Sequence, residues 1–139
     1  MKYIVSATIA AAFLVSCEQG ASPKDSIWEG AEHGDVEVVE FYLDQGTDVD
    51  AKGERSWMEG TPLHHAAKGG SVEVTELLLA NGADVNALGE TTPLGKSVTP
   101  LDIATAYSEE DSVERKTSKE TIANLLRSHG AMTAAELRN

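Results

Sequence analysis

The chain has 139 residues, 41% of them hydrophobic and 5% aromatic, so it can form the core of one small domain but not a large aromatic-lined pocket. Its 23 acidic and 11 basic residues give a formal net charge of −12, which argues against a nucleic-acid partner because affinity for phosphates comes mainly from Lys and Arg. The same charge balance is compatible with a basic protein partner, although solubility alone also explains it.

The first seventeen residues have the pattern of an export signal. Lys2 supplies a short basic start, and residues 3–15 form an uncharged, largely apolar run that is too short to span a bilayer as a helix. The run leads into Leu-Val-Ser-Cys at residues 14–17, which resembles the lipobox of bacterial lipoproteins. The resemblance implies a signal peptide over 1–16, cleavage before Cys17, lipidation of that cysteine and a tether over 17–24. The alternative is ordinary secretion with a chance cysteine.

Cys17 is also the only cysteine, so no disulfide can form within the chain. A lipid at this position would hold the chain at a membrane through its buried methylenes. We therefore expect a cell-envelope protein that faces the periplasm or the exterior. In a Gram-negative cell, Glu18 rather than aspartate after the cysteine favours the outer membrane.

A pattern of two short helices and a turn recurs three times after the tether. In the central copy, Thr61 precedes a proline that suits the first turn of a helix, and two glycines at 69–70 stop that helix. Ser71 can cap the second helix, which Gly82 ends. Residues 35–51 match residues 71–87 without a gap, and a third copy opens at Thr99.

The central copy closely resembles the ankyrin repeat, since it reads TPLHHAA at 61–67 and GADVNA at 82–87. The resemblance implies an all-α solenoid over residues 25–139, built from about three stacked helix–turn–helix repeats with projecting finger loops. Its repeats would span about 25–60, 61–98 and 99–132, followed by a short C-terminal cap over 133–139. It also implies that His64 and Thr61 hydrogen-bond to hold the turns between repeats.

The outer copies depart from this pattern. Trp28 and Asp102 stand where the central copy has its signature histidine, and the third copy carries a charged insert over 108–118. The insert predicts either a solvated loop or an extension of a helix, and it could contact a cationic partner. Thr117 with Glu120 fits a capping box for the last repeat helix. Thr133 with Glu136 fits another, which predicts a terminal helix from about Ala134.

The two fingers are the expected contact regions, because repeat proteins bind through loops and adjoining helix faces. In the first finger, at 52–60, Trp57 and Met58 place apolar bulk in a polar loop, as an interface anchor does. The alternative is that Trp57 folds back onto the next repeat. The predicted protein-binding residues are Arg55, Trp57, Met58 and Glu59 in the first finger, Glu90 and Lys96 in the second, and His65 and Lys68 on the helices. His65 is expected to face outward.

No residue pattern points to catalysis, a cofactor or a metal. The spacing of Glu29 and His33 would suit two ligands on one helix face, but no third ligand joins them. Neighbouring His64 and His65 point in different directions on a helix, and no nucleophile motif is present. We therefore predict a protein–protein interaction module of the bacterial envelope. The alternative is an inhibitor or immunity-type protein that masks a secreted enzyme or toxin, and an enzyme is the third reading.

Overall fold

The computed structural model describes residues 26–55, 58–91 and 95–139, with the backbone alone at 54–55. The signal peptide, Cys17, the tether and Trp57 lie outside the described residues. Seven helices and four strands occur in the described ranges: α1 (Ile27–His33), α2 (Val36–Asp44), β1 (Gly53–Arg55), β2 (Met58–Gly60), α3 (Pro62–Gly69), α4 (Val72–Ala80), β3 (Gly89–Thr91), β4 (Lys96–Val98), α5 (Pro100–Thr105), α6 (Val113–Ser128) and α7 (Ala134–Leu137). None of these helices is long and apolar enough to cross a membrane.

The helices begin and end where local side-chain chemistry dictates. The Ser71 side chain accepts a hydrogen bond from the Val74 N–H and so caps α4, as predicted. Gly70 ends α3 in the left-handed conformation at φ 75°, which a glycine adopts without steric cost. Asp35 caps α2 in the same way that Ser71 caps α4. The two helix pairs therefore repeat in structure as they do in sequence.

The helices stack in two rows around one continuous core. Helices α1, α3 and α5 pack side by side as the inner row, and α2, α4 and α6 pack behind them. Small residues dominate the inner contacts, and a methyl group built on Gly69 would lie 1.9 Å from the backbone oxygen of Glu32. The fully buried core side chains come from both rows: Ile27, Ala31, Val39, Leu63, Ala66, Ala67, Val74, Leu78, Ala104, Ile122 and Leu126. The fold is a helical solenoid of stacked repeats, as expected.

The finger segments are strands rather than the loops implied by the resemblance. Each finger is an antiparallel hairpin, and the two hairpins pair through β2 and β3 into one four-stranded sheet in the order β1-β2-β3-β4. A methyl group at Gly89 would come within 2.8 Å of the Glu59 carbonyl oxygen, so the close approach of the hairpins requires glycine there. The fingers therefore form a single platform.

The charged insert is partly a helix, which corrects the predicted helix start. Helix α6 begins at Val113, and its N-cap is Ser112, whose hydroxyl accepts from the Arg115 N–H at 3.1 Å. Thr117 lies inside the helix and donates its hydroxyl to the Val113 carbonyl, so the predicted capping box of Thr117 with Glu120 is wrong. A good cap one turn earlier allows the helix to extend into the insert.

The rest of the insert is a loop held by one buried ion pair. The Lys119 ammonium donates to the Asp111 carboxylate at 3.0 Å and to the Ala106 carbonyl at 3.0 Å. The Ser108 N–H and then the Lys119 ammonium lower the pKa of Asp111 to about 2, so its carboxylate is ionised at neutral pH. The insert is thus tied to both helices that it connects.

The C-terminal capping box is confirmed. The Thr133 N–H donates to Glu136 at 2.7 Å, and the Glu136 N–H donates to the Thr133 hydroxyl at 3.2 Å, which starts α7 at Ala134. The Ala134 N–H also donates to the Asp102 carboxylate at 2.9 Å, which joins α7 to α5. The short terminal helix therefore covers part of the last repeat.

The close approach of α1 and α3 generates a stability prediction. We expect Gly69→Ala to lower the free energy of unfolding by about 3 kcal/mol, because the added methyl group meets backbone that cannot rotate away. The matched control is Gly46→Ala, where φ is 87° and no atom lies within 4 Å of the new methyl group. This control should lose only about 1 kcal/mol, from left-handed backbone strain. Urea unfolding measures both losses, and equal losses would contradict the packing argument.

Candidate functional site

A buried histidine sets the position of the second hairpin. His64 lies in α3 with no exposed surface; its Nδ1 accepts from the Thr61 N–H at 3.1 Å, and its Nε2 lies 3.1 Å from the Val98 carbonyl oxygen. A backbone N–H can only donate and a carbonyl can only accept, so the ring carries its proton on Nε2. This ring therefore connects the start of α3 to the end of β4, and the predicted contact between His64 and Thr61 is confirmed.

Burial keeps this histidine neutral. Desolvation lowers the pKa of His64 from its usual 6.5 to about 4, although hydrogen bonds to the backbone of Val98 and Ala87 oppose that effect. A neutral ring satisfies its partners with one donor and one acceptor, whereas a charged ring would turn Nδ1 into a donor that faces the Thr61 N–H. The hairpin is thus held by an uncharged contact.

The residue that replaces this histidine in the first copy has a similar role. The Trp28 indole N–H donates to the Ala51 carbonyl at 2.8 Å. A methyl group on Gly53, the first residue of β1, would come within 2.4 Å of the indole ring, so β1 lies directly against it. Each hairpin is therefore held on its helix-facing side by a ring on an inner helix. The sequence signal for this role was the position of Trp28 in the repeat, which sequence reasoning left unused.

The structure corrects the prediction that His65 faces outward. His65 has no exposed surface, and its Nδ1 lies 3.3 Å from the Glu32 carboxylate on α1. The Lys68 ammonium lies 3.2 Å from the other oxygen of Glu32. The reason is the close packing of α1 and α3, which turns this face of α3 toward its neighbour. His65 is therefore an internal residue and offers no surface to a partner.

The Glu32 carboxylate is ionised in this contact. Partial burial by itself would raise the pKa of Glu32, but the hydrogen bond and charge of Lys68, followed by those of His65, outweigh it and leave the pKa below its ordinary value. The side chain of Lys68 keeps 41% of its surface exposed, so it can still reach a ligand.

The prediction that Met58 is an interface anchor is also wrong. Met58 is completely buried, and its methyl group would lie 2.6 Å from a methyl group placed on Gly60. Alternate residues of a strand point to opposite faces, so Met58 and Gly60 both face the helices while Glu59 between them is half-buried. Met58 is thus enclosed on the helix-facing side of the sheet and offers no surface to a partner.

The opposite face of the sheet carries like charges side by side. Glu59 of β2 pairs directly with Glu90 of β3, and the same register aligns Glu54 of β1 with Glu59. Glu90 is exposed, and no ion pair involves Glu59 or Glu90 among the side chains that the structure describes. Like charges directly opposite one another destabilise a sheet, so stability does not explain this pair. We call the exposed face around Glu59 and Glu90 the hairpin surface.

The remaining predicted contacts divide between two places. Arg55 lies opposite Met58 in the sheet, but its side chain is not among the described ones, and Trp57 lies outside the described residues. Lys96 is exposed on β4 and lies with Lys68 along a cleft between the second hairpin and the C-terminal helices. Of the predicted residues, Glu59 and Glu90 thus lie on the hairpin surface, whereas Lys68 and Lys96 line the cleft.

This cleft, which we call the end cleft, has a volume of about 450 Å³ and lies between β4, α5, α6 and α7. Four cationic side chains line it: Lys68, Lys96, Lys119 and Arg138. Sequence reasoning missed Lys119 and Arg138, because neither belongs to a motif and the fold alone brings them near Lys96. Among the described residues, no group of three or more His, Cys, Asp or Glu residues is placed to hold a metal ion.

Comparison with known proteins adds one finding. A family model described as ankyrin repeats, in three copies, matches residues 27–133, which include the stacked helices and both hairpins. No curated protein matches the chain.

The neutral state of His64 predicts a specific loss of stability in mild acid. The folded pKa of about 4 lies below the unfolded value of 6.5, so the unfolded chain binds more protons between these values and stability falls as the pH falls. We expect the free energy of unfolding to drop by about 2 kcal/mol from this group between pH 7 and pH 5. Denaturant titrations at several pH values measure the slope.

Two variants isolate this contribution. His64→Gln lowers stability at every pH because hydrogen bonds are lost, but its pH slope should be smaller than that of the wild type by about 2 kcal/mol over the same range. The matched control is His33→Gln, which removes an exposed imidazole and leaves the buried contact of His64 intact. If His64→Gln retained the full slope, the assignment to His64 would be incorrect.

Proposed function

Because the chain belongs to the ankyrin-repeat family, we propose that it is a protein-binding module held at the bacterial cell envelope by a lipid on Cys17. Ankyrin repeats are protein–protein interaction modules, so the class of partner follows from the family. The envelope location rests on the sequence at residues 1–17, where a basic start and an apolar run precede the cysteine.

The observation that carries the proposed binding surface is the pairing of Glu59 with Glu90. Their mutual repulsion costs stability, and a Lys or Arg side chain from a partner would relieve it. In the proposed complex a basic patch of the partner therefore lies on the hairpin surface. Arg55 and Trp57 adjoin this surface in sequence and are proposed as its flanking contacts.

The contacts that hold the sheet in place support the same proposal. Trp28 holds the first hairpin through Ala51, His64 holds the second through Val98, and β2 pairs with β3. A surface fixed in this way loses little conformational entropy when a partner binds, so more of the contact energy remains as affinity. The pairing of two hairpins also gives a broader surface than either finger alone.

The second candidate is inhibition of a secreted enzyme or toxin whose active site is basic. The same two carboxylates favour it, because they could cover cationic catalytic residues. The two candidates differ in outcome: a simple binding module leaves the partner active, whereas an inhibitor abolishes the partner's activity, with steep dependence on salt.

The proposed anchor is tested by removing its cysteine. We expect the wild-type chain to fractionate with membranes and to carry a lipid at an N-terminal Cys17, since acyl chains contribute about 0.8 kcal/mol per buried methylene. Cys17→Ser should leave the membrane fraction, while Ser22→Ala in the tether should behave as the wild type. Mass spectrometry of the mature N-terminus gives the readout, and a wild-type N-terminus without lipid would disprove the anchor.

The proposed binding surface is tested by charge reversal. Photo-crosslinking in intact cells followed by purification should capture a partner, and Glu59→Lys with Glu90→Lys should reduce capture at least tenfold because two attractions become repulsions. Trp57→Ala should reduce it as well. The matched control reverses two exposed carboxylates on the outer helices, Glu76→Lys with Glu120→Lys, and should leave capture unchanged.

Circular dichroism must show equal helicity in all of these variants for the comparison to count. Equal capture by the wild type, the hairpin variants and the control would place the binding site elsewhere. Loss of capture in the control variant alone would also place the binding site away from the hairpin surface.

A further inference from the structure

The end cleft has the opposite charge from most of the chain. Four of the eleven Lys and Arg residues line it, together with one carboxylate, Asp102. That carboxylate already accepts from the Thr99 N–H, the Thr99 hydroxyl and the Ala134 N–H through one oxygen. Three donors thus occupy this oxygen, and cations outnumber carboxylates in the lining of the cleft by four to one.

From this we infer that the end cleft binds a carboxylate-rich segment of a partner protein. The inference rests on the proposed function in one respect, that the chain binds another protein. It assigns a second binding surface, separate from the hairpin surface. The part of the partner that enters the cleft is acidic, whereas the part that lies on the hairpin surface is basic.

The buried member of the cleft is Lys119, which is only 6% exposed. Its ammonium has three donors, and the described contacts occupy two of them, with Asp111 and with the Ala106 carbonyl. In the proposed complex the third donor meets a ligand oxygen at the cleft. Asp111, the counter-ion of Lys119, does not line the cleft, so a ligand there contacts the ammonium.

The other cations lie at the rim. Lys96 and Arg138 are exposed, and no ion pair involves either of them among the described side chains. Lys68 is paired with Glu32, but Glu32 lies on α1 and does not line the cleft. An acidic segment can therefore meet two unpaired cations at the rim and a buried one below them.

The walls of the cleft favour a polypeptide over a nucleotide. No aromatic side chain lines the cleft among the described residues, so nothing there would stack on a base. Its apolar members are short aliphatic side chains: Val98, Ile103, Ala106, Ala134 and Ala135. One wall is β4, the last strand of the sheet, and an edge strand presents backbone donors and acceptors along which an extended segment can run.

Protection of the sheet edge explains only part of this arrangement. A lysine on an edge strand discourages unwanted pairing with other strands, and Lys96 fits that role. Lys119 and Arg138 come from α6 and from the residue after α7, however, and neither lies on the sheet. The pair with Asp111 accounts for the burial of Lys119. Neither that pair nor edge protection accounts for the position of Arg138 at the same cleft as Lys96, which the binding of an anionic segment explains.

The test uses a fluorescent peptide, Gly-Glu-Glu-Gly-Glu-Glu-Gly, titrated with the full chain in detergent micelles and followed by anisotropy. We expect saturable binding that weakens with salt, and at least tenfold weaker binding of the peptide with glutamine in place of glutamate. Lys96→Glu with Arg138→Glu should weaken the binding of the acidic peptide at least tenfold. The matched control, Lys52→Glu with Lys116→Glu, reverses two exposed cations that do not line the cleft and should change affinity less than twofold.

Three results would overturn the inference. They are equal binding of the glutamate and glutamine peptides, equal losses in the two double variants, and binding of inorganic phosphate at the cleft without binding of the acidic peptide. The last result would mean that a small anion is the occupant.

The result can be separated from that of the proposed function. If the hairpin variants abolish partner capture but the acidic peptide does not bind, only the cleft assignment fails. If the peptide binds as expected but no partner is captured through the hairpin surface, the cleft assignment stands and the proposed binding surface fails.

Discussion

The uncharged contact of His64 with Thr61 and Val98 is the interaction on which the proposed binding surfaces depend. It joins the first turn of α3 to the last strand of the sheet, so the position of the second hairpin follows from one buried ring. On one side of that platform lies the hairpin surface, and on the other lies the end cleft. If the ring were lost or charged, both surfaces would shift together, because the same strands carry Glu90 and Lys96.

Because side chains alternate along each strand, the two faces of the sheet carry different kinds of residue. Residues that face the helices are small or buried, as Met58, Gly60 and Gly89 are, and they allow the hairpins to lie close to the core. Residues on the other face carry the acidic pair. A net acidic chain thus presents a concentrated negative surface and, beyond β4, a concentrated positive one. If both proposed surfaces bind one partner, the charges of that partner are separated in the same way.

Local chemistry explains which features of the sequence could be interpreted and which could not. The cap at Ser71, the turn at Gly70 and the capping box at Thr133 each involve residues within a few positions, so their roles were visible in the sequence. The burial of His65 depends on Glu32, which lies in another helix, and that of Met58 depends on strands of only three residues. Arg138 joins the cleft only because α7 packs against Asp102. These features required the assembled structure.

The carboxylate of Asp102 has a consequence for which element the third inner helix holds. In the central copy, the residue at this position reaches across to a strand of the following hairpin. In the third copy, Asp102 accepts the Ala134 N–H at the start of α7 instead. The side chain at this position of an inner helix therefore decides which later element is tied to that helix. A histidine ring ties it to a strand, whereas a carboxylate ties it to the N-terminus of a helix.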